Sequence, residues 1–182
     1  MKVTFLTPSI SRALGGVYEV ERELARALVK STSASVDVLG LEDEHAETDR
    51  SEWAPIDPEV YPVRGPDSFG YAPDLLPSLL ERKPDLVHLH SLWMYPSVAS
   101  LQWTRKTGRP HIVTIHGMLD PWAVRNSRWK KRIAGWLYEN ANLREATCLH
   151  VLTDQERRAV RRYGIETPVC VVPNGVTLPS EE

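Results

Sequence analysis

Strand-like and helix-like patterning alternate along this chain, which predicts an α/β fold: a Rossmann-like, doubly wound parallel sheet with helices on both faces. Two observations carry that expectation. Short apolar, β-branched runs recur, beginning with Val3–Thr7 (VTFLT), and read as strands covered on both faces. Between them, apolar residues repeat every three or four positions, as in helices with one buried face. The 182 residues suffice for one well-buried core and are short for two, so the chain is a single domain or one piece of something larger.

After the opening strand, Gly15 and Gly16 precede a helix in which Val17, Val20, Leu24, Ala27 and Leu28 form the apolar stripe. Glu21, Arg22, Glu23 and Arg26 are expected on its other face. Ser35–Leu39 is the second strand. From Gly40 to Ala72 the periodicity fails, because LEDEHAETDRSEW is acidic and polar and the residues after it are broken by prolines and glycines. A short strand over 60–63 is expected there within a mobile surface excursion. Helices then read at Leu75–Arg82, Pro96–Lys106, Trp129–Ala141 and Asp154–Tyr163, and strands at Leu86–Leu89, His111–Ile115, Leu149–Leu152 and Val169–Val172. Thr153 with Glu156 reads as a capping box, and Gly164 follows the last helical position. The chain then leaves its last strand and turns at Asn174–Gly175.

Twenty-two basic against 24 acidic residues give a formal net charge of −2, which offers no bulk attraction to nucleic acid or anionic lipid. Any basic surface is local. Cys148 and Cys170 each sit in an apolar run and no secretory leader precedes the first strand, so the expectation is a reduced, cytoplasmic protein with inert thiols. No apolar stretch reaches the roughly 18 residues that a bilayer span requires.

In an open parallel sheet, ligands sit beyond the carboxyl ends of the strands, where helix N-termini present free backbone N–H groups. Gly15 and Gly16 fall at that edge. They fit the close approach of an anion, and equally a plain strand-to-helix turn. They belong to neither a dinucleotide fingerprint nor a P-loop, and no G-x-S-x-G elbow is present. DLVHLHSLWMY places His88 and His90 on one side of a strand, and TIHGMLDPW sets His116 directly after another. His88 reads as a structural histidine bonded to a backbone carbonyl, His116 as a group that hydrogen-bonds or handles a proton for a polar ligand. A metal is not expected, because the histidines have no cysteine or carboxylate set near them in sequence. Trp93, Met94, Tyr95 and Trp122 fit a sugar or lipid pocket, or ordinary packing beneath loops. In VRNSRWKKRIAGWLYEN, Arg125, Arg128, Lys130, Lys131 and Arg132 accompany Trp129, Ile133, Trp136 and Leu137. Such a segment fits a helix on an anionic membrane surface and, more simply, a solvated helix whose apolar face packs on the sheet.

Five stretches, GGVYEVERELARAL, PDLVHLHSLW, TIHGMLDPW, LHVLTDQER and VVPNGV, together resemble the N-terminal domain of the retaining glycosyltransferases of the GT-B fold, family four or "group 1". The resemblance implies one half of a two-domain enzyme. Residues 1–176 would be the acceptor-side domain and 177–182 the start of the linker, with the donor-binding C-terminal domain absent and the fragment inactive alone. The implied reaction moves a sugar from a nucleotide-sugar to a carbohydrate or lipid-linked acceptor with retention, and needs neither a metal nor another cofactor. His116 would be the catalytic residue touching the transferring sugar, and the amides of Gly15 and Gly16 would meet the diphosphate. His90, Trp93 and Tyr95 would receive the acceptor, and Thr153 would contact phosphate or sugar. Two alternatives stand beside it: half of a GT-B sugar-nucleotide epimerase, for which Glu19 and Asp120 are the available carboxylates, and a non-catalytic carbohydrate- or lipid-binding module.

Overall fold

Seven parallel strands form one sheet in the order β3-β2-β1-β4-β5-β6-β7 in the computed structural model, which describes residues 1–175. They are β1 (Lys2–Thr7), β2 (Ser35–Leu41), β3 (Glu59–Tyr61), β4 (Leu86–His90), β5 (His111–Thr114), β6 (Cys148–Val151) and β7 (Val169–Val171). The order reverses between β1 and β4, which makes that junction the switch point of a doubly wound sheet and places a crevice at the carboxyl ends of these two strands. The connecting helices are α1 (Gly16–Ser31), α2 (Ala46–Asp49), α3 (Leu75–Arg82), α4 (Tyr95–Thr107), α5 (Pro121–Arg125), α6 (Arg128–Ala134), α7 (Asn140–Glu145) and α8 (Asp154–Tyr163).

Side chains alternate across each strand, so the sheet feeds two cores. Leu6, Leu39, Leu89, Val113 and Leu149 pack with Leu75, Leu79, Ala99 and Trp103 on one face. Val3, Phe5, Val36 and Val38 pack with Tyr18, Ala25 and Trp53 on the other. Residues α3 and α8 take the bounds that periodicity gives. Thr153 caps α8 by accepting from Glu156 N at 3.2 Å, but the Glu156 carboxylate accepts from Leu152 N at 2.6 Å, so the reciprocal half of the box is displaced by one residue.

Three expectations are corrected. The stretch between Gly40 and Ala72 is tied down. Trp53 is fully buried and its indole donates to the carbonyl of Ile10 at 2.7 Å. Buried Asp49 accepts from the Arg12 backbone N–H at 2.9 Å and from its guanidinium, which holds the carboxyl down at about 2. One indole and one carboxylate anchor an otherwise polar run, and neither produces a periodic pattern. On α1 the buried residues are Tyr18, Glu21 and Ala25, whereas Ala27 is exposed, so the helix is rotated from the expected stripe and carries Glu21 inward. The helix expected over Trp129–Ala141 forms, running without interruption from Arg128 to Glu145, but it is not a regular α-helix. Ser127 is left-handed (φ 55°) between α5 and α6, and a π-helical turn, Gly135–Glu139, separates α6 from α7. A Cβ on Gly135 would stand 3.3 Å from both Asn140 and Tyr163, so the tight turn favours glycine.

Cys148 and Cys170 are free and partly buried on neighbouring strands, and burial pushes the Cys170 thiol up to about 11, which keeps it protonated. Residues 172–175 have no regular structure; the linker predicted over 177–182 lies outside the described residues.

Trp53→Ala should lower stability by about 3–5 kcal/mol, the range for emptying a large buried aromatic site. Trp136→Ala, at a largely exposed position, should stay within about 0.5 kcal/mol of the parent in the same urea titration.

Candidate active site

The rim beyond β4 and β5 holds unusual backbone. Ser91 (φ 73°), Trp93 (φ 73°) and His116 (φ 46°) adopt the left-handed region, and Gly117 follows at φ 70°. Each such conformation disfavours a side-chain-bearing residue by about 1–2 kcal/mol. Three of the five non-glycine residues with positive φ among the described residues therefore lie on two adjacent loops of one edge.

His116 Nε2 lies 3.2 Å from His90 Nδ1, their rings stacked with centroids 5.5 Å apart. The same His90 nitrogen lies 3.6 Å from Oε1 of Glu21 on α1. Glu21 and His90 are fully buried and His116 is half-buried. Neither carboxylate oxygen of Glu21 has a hydrogen-bond partner among the described residues; neighbouring Thr7 donates its hydroxyl to the carbonyl of Ser9. Burial raises the Glu21 carboxyl well above the usual carboxylate range, lowers His90 well below the usual imidazole range and lowers His116 to about 4. Helix α1 is thereby joined to both rim loops through a neutral acid and two neutral imidazoles.

A second polar cluster lies behind the first. His88 Nε2 meets the Thr114 hydroxyl at 2.7 Å, and the same hydroxyl meets His150 Nδ1 at 3.0 Å, whose Nε2 contacts the carbonyl of Val172. His88 is structural, as the sequence predicts, but its partner is a hydroxyl rather than a carbonyl. Burial holds its ring neutral, with its pKa down at about 3. Phe5 packs on both His88 and His90, closing the seam from the β1 side.

Gly15 (φ 58°) caps α1 in a conformation that favours glycine, whereas Gly16 has ordinary helical backbone and nothing within 4 Å of a built Cβ. The turn therefore explains Gly15 and not Gly16. Beside them lies a groove of about 290 Å³ lined by Arg12, Tyr18, Glu19, Arg22, Asp49 and Glu52. Thr153 is exposed, and its hydroxyl is engaged as the α8 cap; α8 reaches the His116 loop through Glu156, whose Oε1 lies 3.7 Å from a Cβ built on Gly117.

Among the residues expected to take the acceptor, His90 is fully buried and reaches the rim through His116. Tyr95 is buried against Phe69 and Tyr71, with ring centroids 5.9 and 5.0 Å away. Trp93 is half-buried and held on both sides of its Cα: its N–H donates to Glu139 at 2.6 Å, and its carbonyl accepts from the Tyr138 hydroxyl at 2.6 Å. Both clamping residues come from the π turn. Glu139, raised by burial to about 7, also accepts from Asn142 at 2.8 Å.

The sequence shows no carboxylate beside the histidines, yet the fold supplies one. Donor atoms of Glu21, His90 and His116 lie within 4.8 Å of one another, a set with the chemistry of a two-histidine, one-carboxylate metal site. The His90–His116 contact accounts for two of the three donors without an ion. Glu21, Glu139, Thr114 and His150 are the site residues that sequence reasoning missed. Glu21 alone left a signal: it stands four residues from both Val17 and Ala25, on the helical row that turns inward.

The chain matches the model of the glycosyl transferase 4-like domain over residues 15–175. No curated protein matches it. Among solved structures, HepE of Anabaena, in complex with UDP and glucose, superposes with a TM-score of 0.71 at 21% identity, over 97% of this chain and 45% of that one. Sucrose-phosphate synthase from Thermosynechococcus elongatus gives 0.65 at 18% identity, over 97% and 49%. The UDP-GlcNAc 2-epimerase of Methanocaldococcus jannaschii gives 0.67 at 15% identity, over 96% and 46%. The chain thus spans a little under half the length of these proteins and shares its fold with that half.

The neutral seam sets the response to pH. The folded state binds fewer protons than the unfolded chain at His88, His90 and His116, so their contribution to stability is lost as pH falls below about 6.5. Glu139 acts oppositely: its folded pKa lies above its unfolded one, and its contribution is lost as pH rises from about 4.5 through about 7. Relative to the parent, Glu139→Gln should gain up to about 3 kcal/mol between pH 5 and 8 in urea titrations, while the acid limb from the histidines persists.

Proposed function

Because the chain belongs to the glycosyl transferase 4-like family, we propose that it is the acceptor-side half of a retaining glycosyltransferase that moves a sugar from a nucleotide-sugar to a carbohydrate or lipid-linked acceptor. The observation that carries this reading is the junction of Glu21, His90 and His116, which binds the N-terminal region of α1 and the His116 loop into one rim. Anion-attracting helix amides and a polar side chain then face the same crevice.

In glycosyl transfer, charge develops on the departing diphosphate and on an oxocarbenium-like sugar. The free N–H groups in the first turn of α1 suit the diphosphate, and the open space over Gly16 lets it approach. His116 is neutral at physiological pH, so it acts by hydrogen bonding and not as a standing cation. With the proton of His90 on Nδ1, His116 Nε2 accepts it, and the His116 Nδ1–H is left to donate to a hydroxyl of the transferring sugar. Trp93, fixed by its clamp, borders the side where the acceptor enters. The donor would be held chiefly by a second domain, in keeping with the 45% of HepE that this chain covers, and that domain would be required for turnover. The epimerase reading needs a carboxylate presented to the ligand: Glu21 is sealed behind His90, while Glu19 lines the groove beside Gly15 and Asp120 stands next to Gly117, so it is the family match and not the geometry that ranks this reading second.

Assay with a panel of UDP-, GDP- and ADP-sugars should show transfer only when a donor-binding C-terminal domain is supplied in the same polypeptide, with NMR of the product showing the donor's anomeric configuration. In that protein Gly16→Val and His116→Ala should each lower kcat/KM by about 10- to 1000-fold with the fold retained, His116→Ala also losing about 1–3 kcal/mol of stability because His90 Nδ1 is left without a partner. Parental activity in both variants would remove the site assignment. Chelation should leave turnover unaltered; a loss restored by zinc would show instead that Glu21, His90 and His116 hold a resident ion.

A further inference from the structure

The segment from α5 through the π turn is built inside out. Trp129, Ile133, Trp136 and Leu137 stand at i, i+4, i+7 and i+8, one side of a helix, yet they are 65%, 50%, 83% and 62% exposed, and α6 buries no residue. Trp122 nearby is 72% exposed. The simpler sequence expectation, an apolar face packed on the sheet, is therefore overturned. Five of the nine large exposed hydrophobic residues among the described residues fall in this one segment, which makes it a patch and not a scatter.

Its charge is equally segregated. Between Pro121 and Tyr138 the chain carries five basic residues and no acidic one, although the whole chain is net negative. Arg125, Arg128, Lys130 and Arg132 are exposed and pair with no carboxylate among the described residues. Lys131 alone is tied down, donating to the carbonyl of Ala123 at 2.6 Å.

From this surface we infer that α5, α6 and the π turn lie on an anionic lipid bilayer, tryptophans and aliphatics in the headgroup region and bases against lipid phosphates. Tryptophan with lysine and arginine is the composition of an interfacial anchor. A second copy would set five bases against five, which disfavours self-association. No helix among the described residues is long and apolar enough to cross a membrane, so the contact is peripheral. The face begins four residues beyond Gly117, so a bilayer held there borders the rim where the acceptor is proposed to enter.

Co-sedimentation with vesicles tests the inference using the 182-residue chain and needs no donor or acceptor, so its failure would leave the sugar-transfer reading standing. Binding should be strong to phosphatidylcholine vesicles carrying about one third phosphatidylglycerol, weak to pure phosphatidylcholine, and should fall steeply between about 0.05 and 0.5 M salt. Lys130→Glu with Arg132→Glu, and separately Trp129→Ala with Trp136→Ala, should each weaken it about tenfold or more with unchanged melting temperatures. Brominated lipid should quench tryptophan fluorescence in the parent and much less in the double tryptophan variant. Absence of vesicle binding, equal binding to neutral vesicles, or indifference to charge reversal would overturn the proposal. So would a concentration-dependent dimer that Trp136→Ala abolishes while no lipid binds, which would give the face to a second copy.

Discussion

The contact between Glu21 on α1, His90 at the end of β4 and His116 beyond β5 is the constraint from which the rest of the rim follows. Glu21 and His90 are withdrawn from water with few partners and His116 is half-buried beside them, an arrangement that disfavours charge on any of the three. An ionised Glu21 would need compensation that His90 can give only by becoming a buried cation. The neutral state is the one in which helix and loops fit together, and it leaves His116 with one nitrogen turned inward and one available. Phe5 and the His88–Thr114–His150 triad extend the same logic into the sheet, where each imidazole is satisfied by an uncharged neighbour or packed against an aromatic ring.

Such a seam restrains side chains but does not hold the loops that carry them. Ser91, Trp93 and His116 sit in left-handed backbone that side chains disfavour, so other contacts must over-determine the rim. For the loop after β4 those contacts come from the π turn. Its extra residue brings Tyr138 and Glu139 to the two backbone groups of one residue, gripping the Trp93 carbonyl and N–H. Asn142 in turn supports Glu139. The strain at the rim is thus offset by a clamp distant in sequence, whose acid is itself raised by burial to about 7.

The sheet was legible in the sequence because a parallel strand buried on both faces is mostly apolar and β-branched, and VTFLT, LVHLH and HIVT keep that character although threonine and histidine are set among the apolar residues. Helices α3 and α8 were legible because their apolar spacing is uninterrupted and their ends carry turn and cap residues. What failed had a common cause. Trp53 and Asp49 anchor the acidic stretch through single long-range contacts, which leave no period. At Glu21 the charge points outward while the helical row it shares with Val17 and Ala25 points inward, and the fold follows the row. His90, Trp93 and Tyr95 were read as one ligand platform because they are near neighbours in sequence, while alternation and the left-handed backbone send them to different surroundings. In the glycine pair, only geometry separates Gly15, which the turn requires, from Gly16, which it does not.

The segment from Pro121 to Tyr138 inverts the usual relation between patterning and burial, and its two ends explain how the fold sustains that. At one end the chain leaves His116 and Gly117 with no room to wander before α5. At the other, Tyr138 and Glu139 are fastened to Trp93. Pinned to the rim at both ends, the middle can expose three tryptophans without support from the sheet, because the energy that places it comes from its termini and not from its own apolar face. That division also ties the two surfaces together. The His116 loop and the exposed tryptophans are an end and the middle of one short segment, anchored at the rim by its own turn and by the Trp93 clamp.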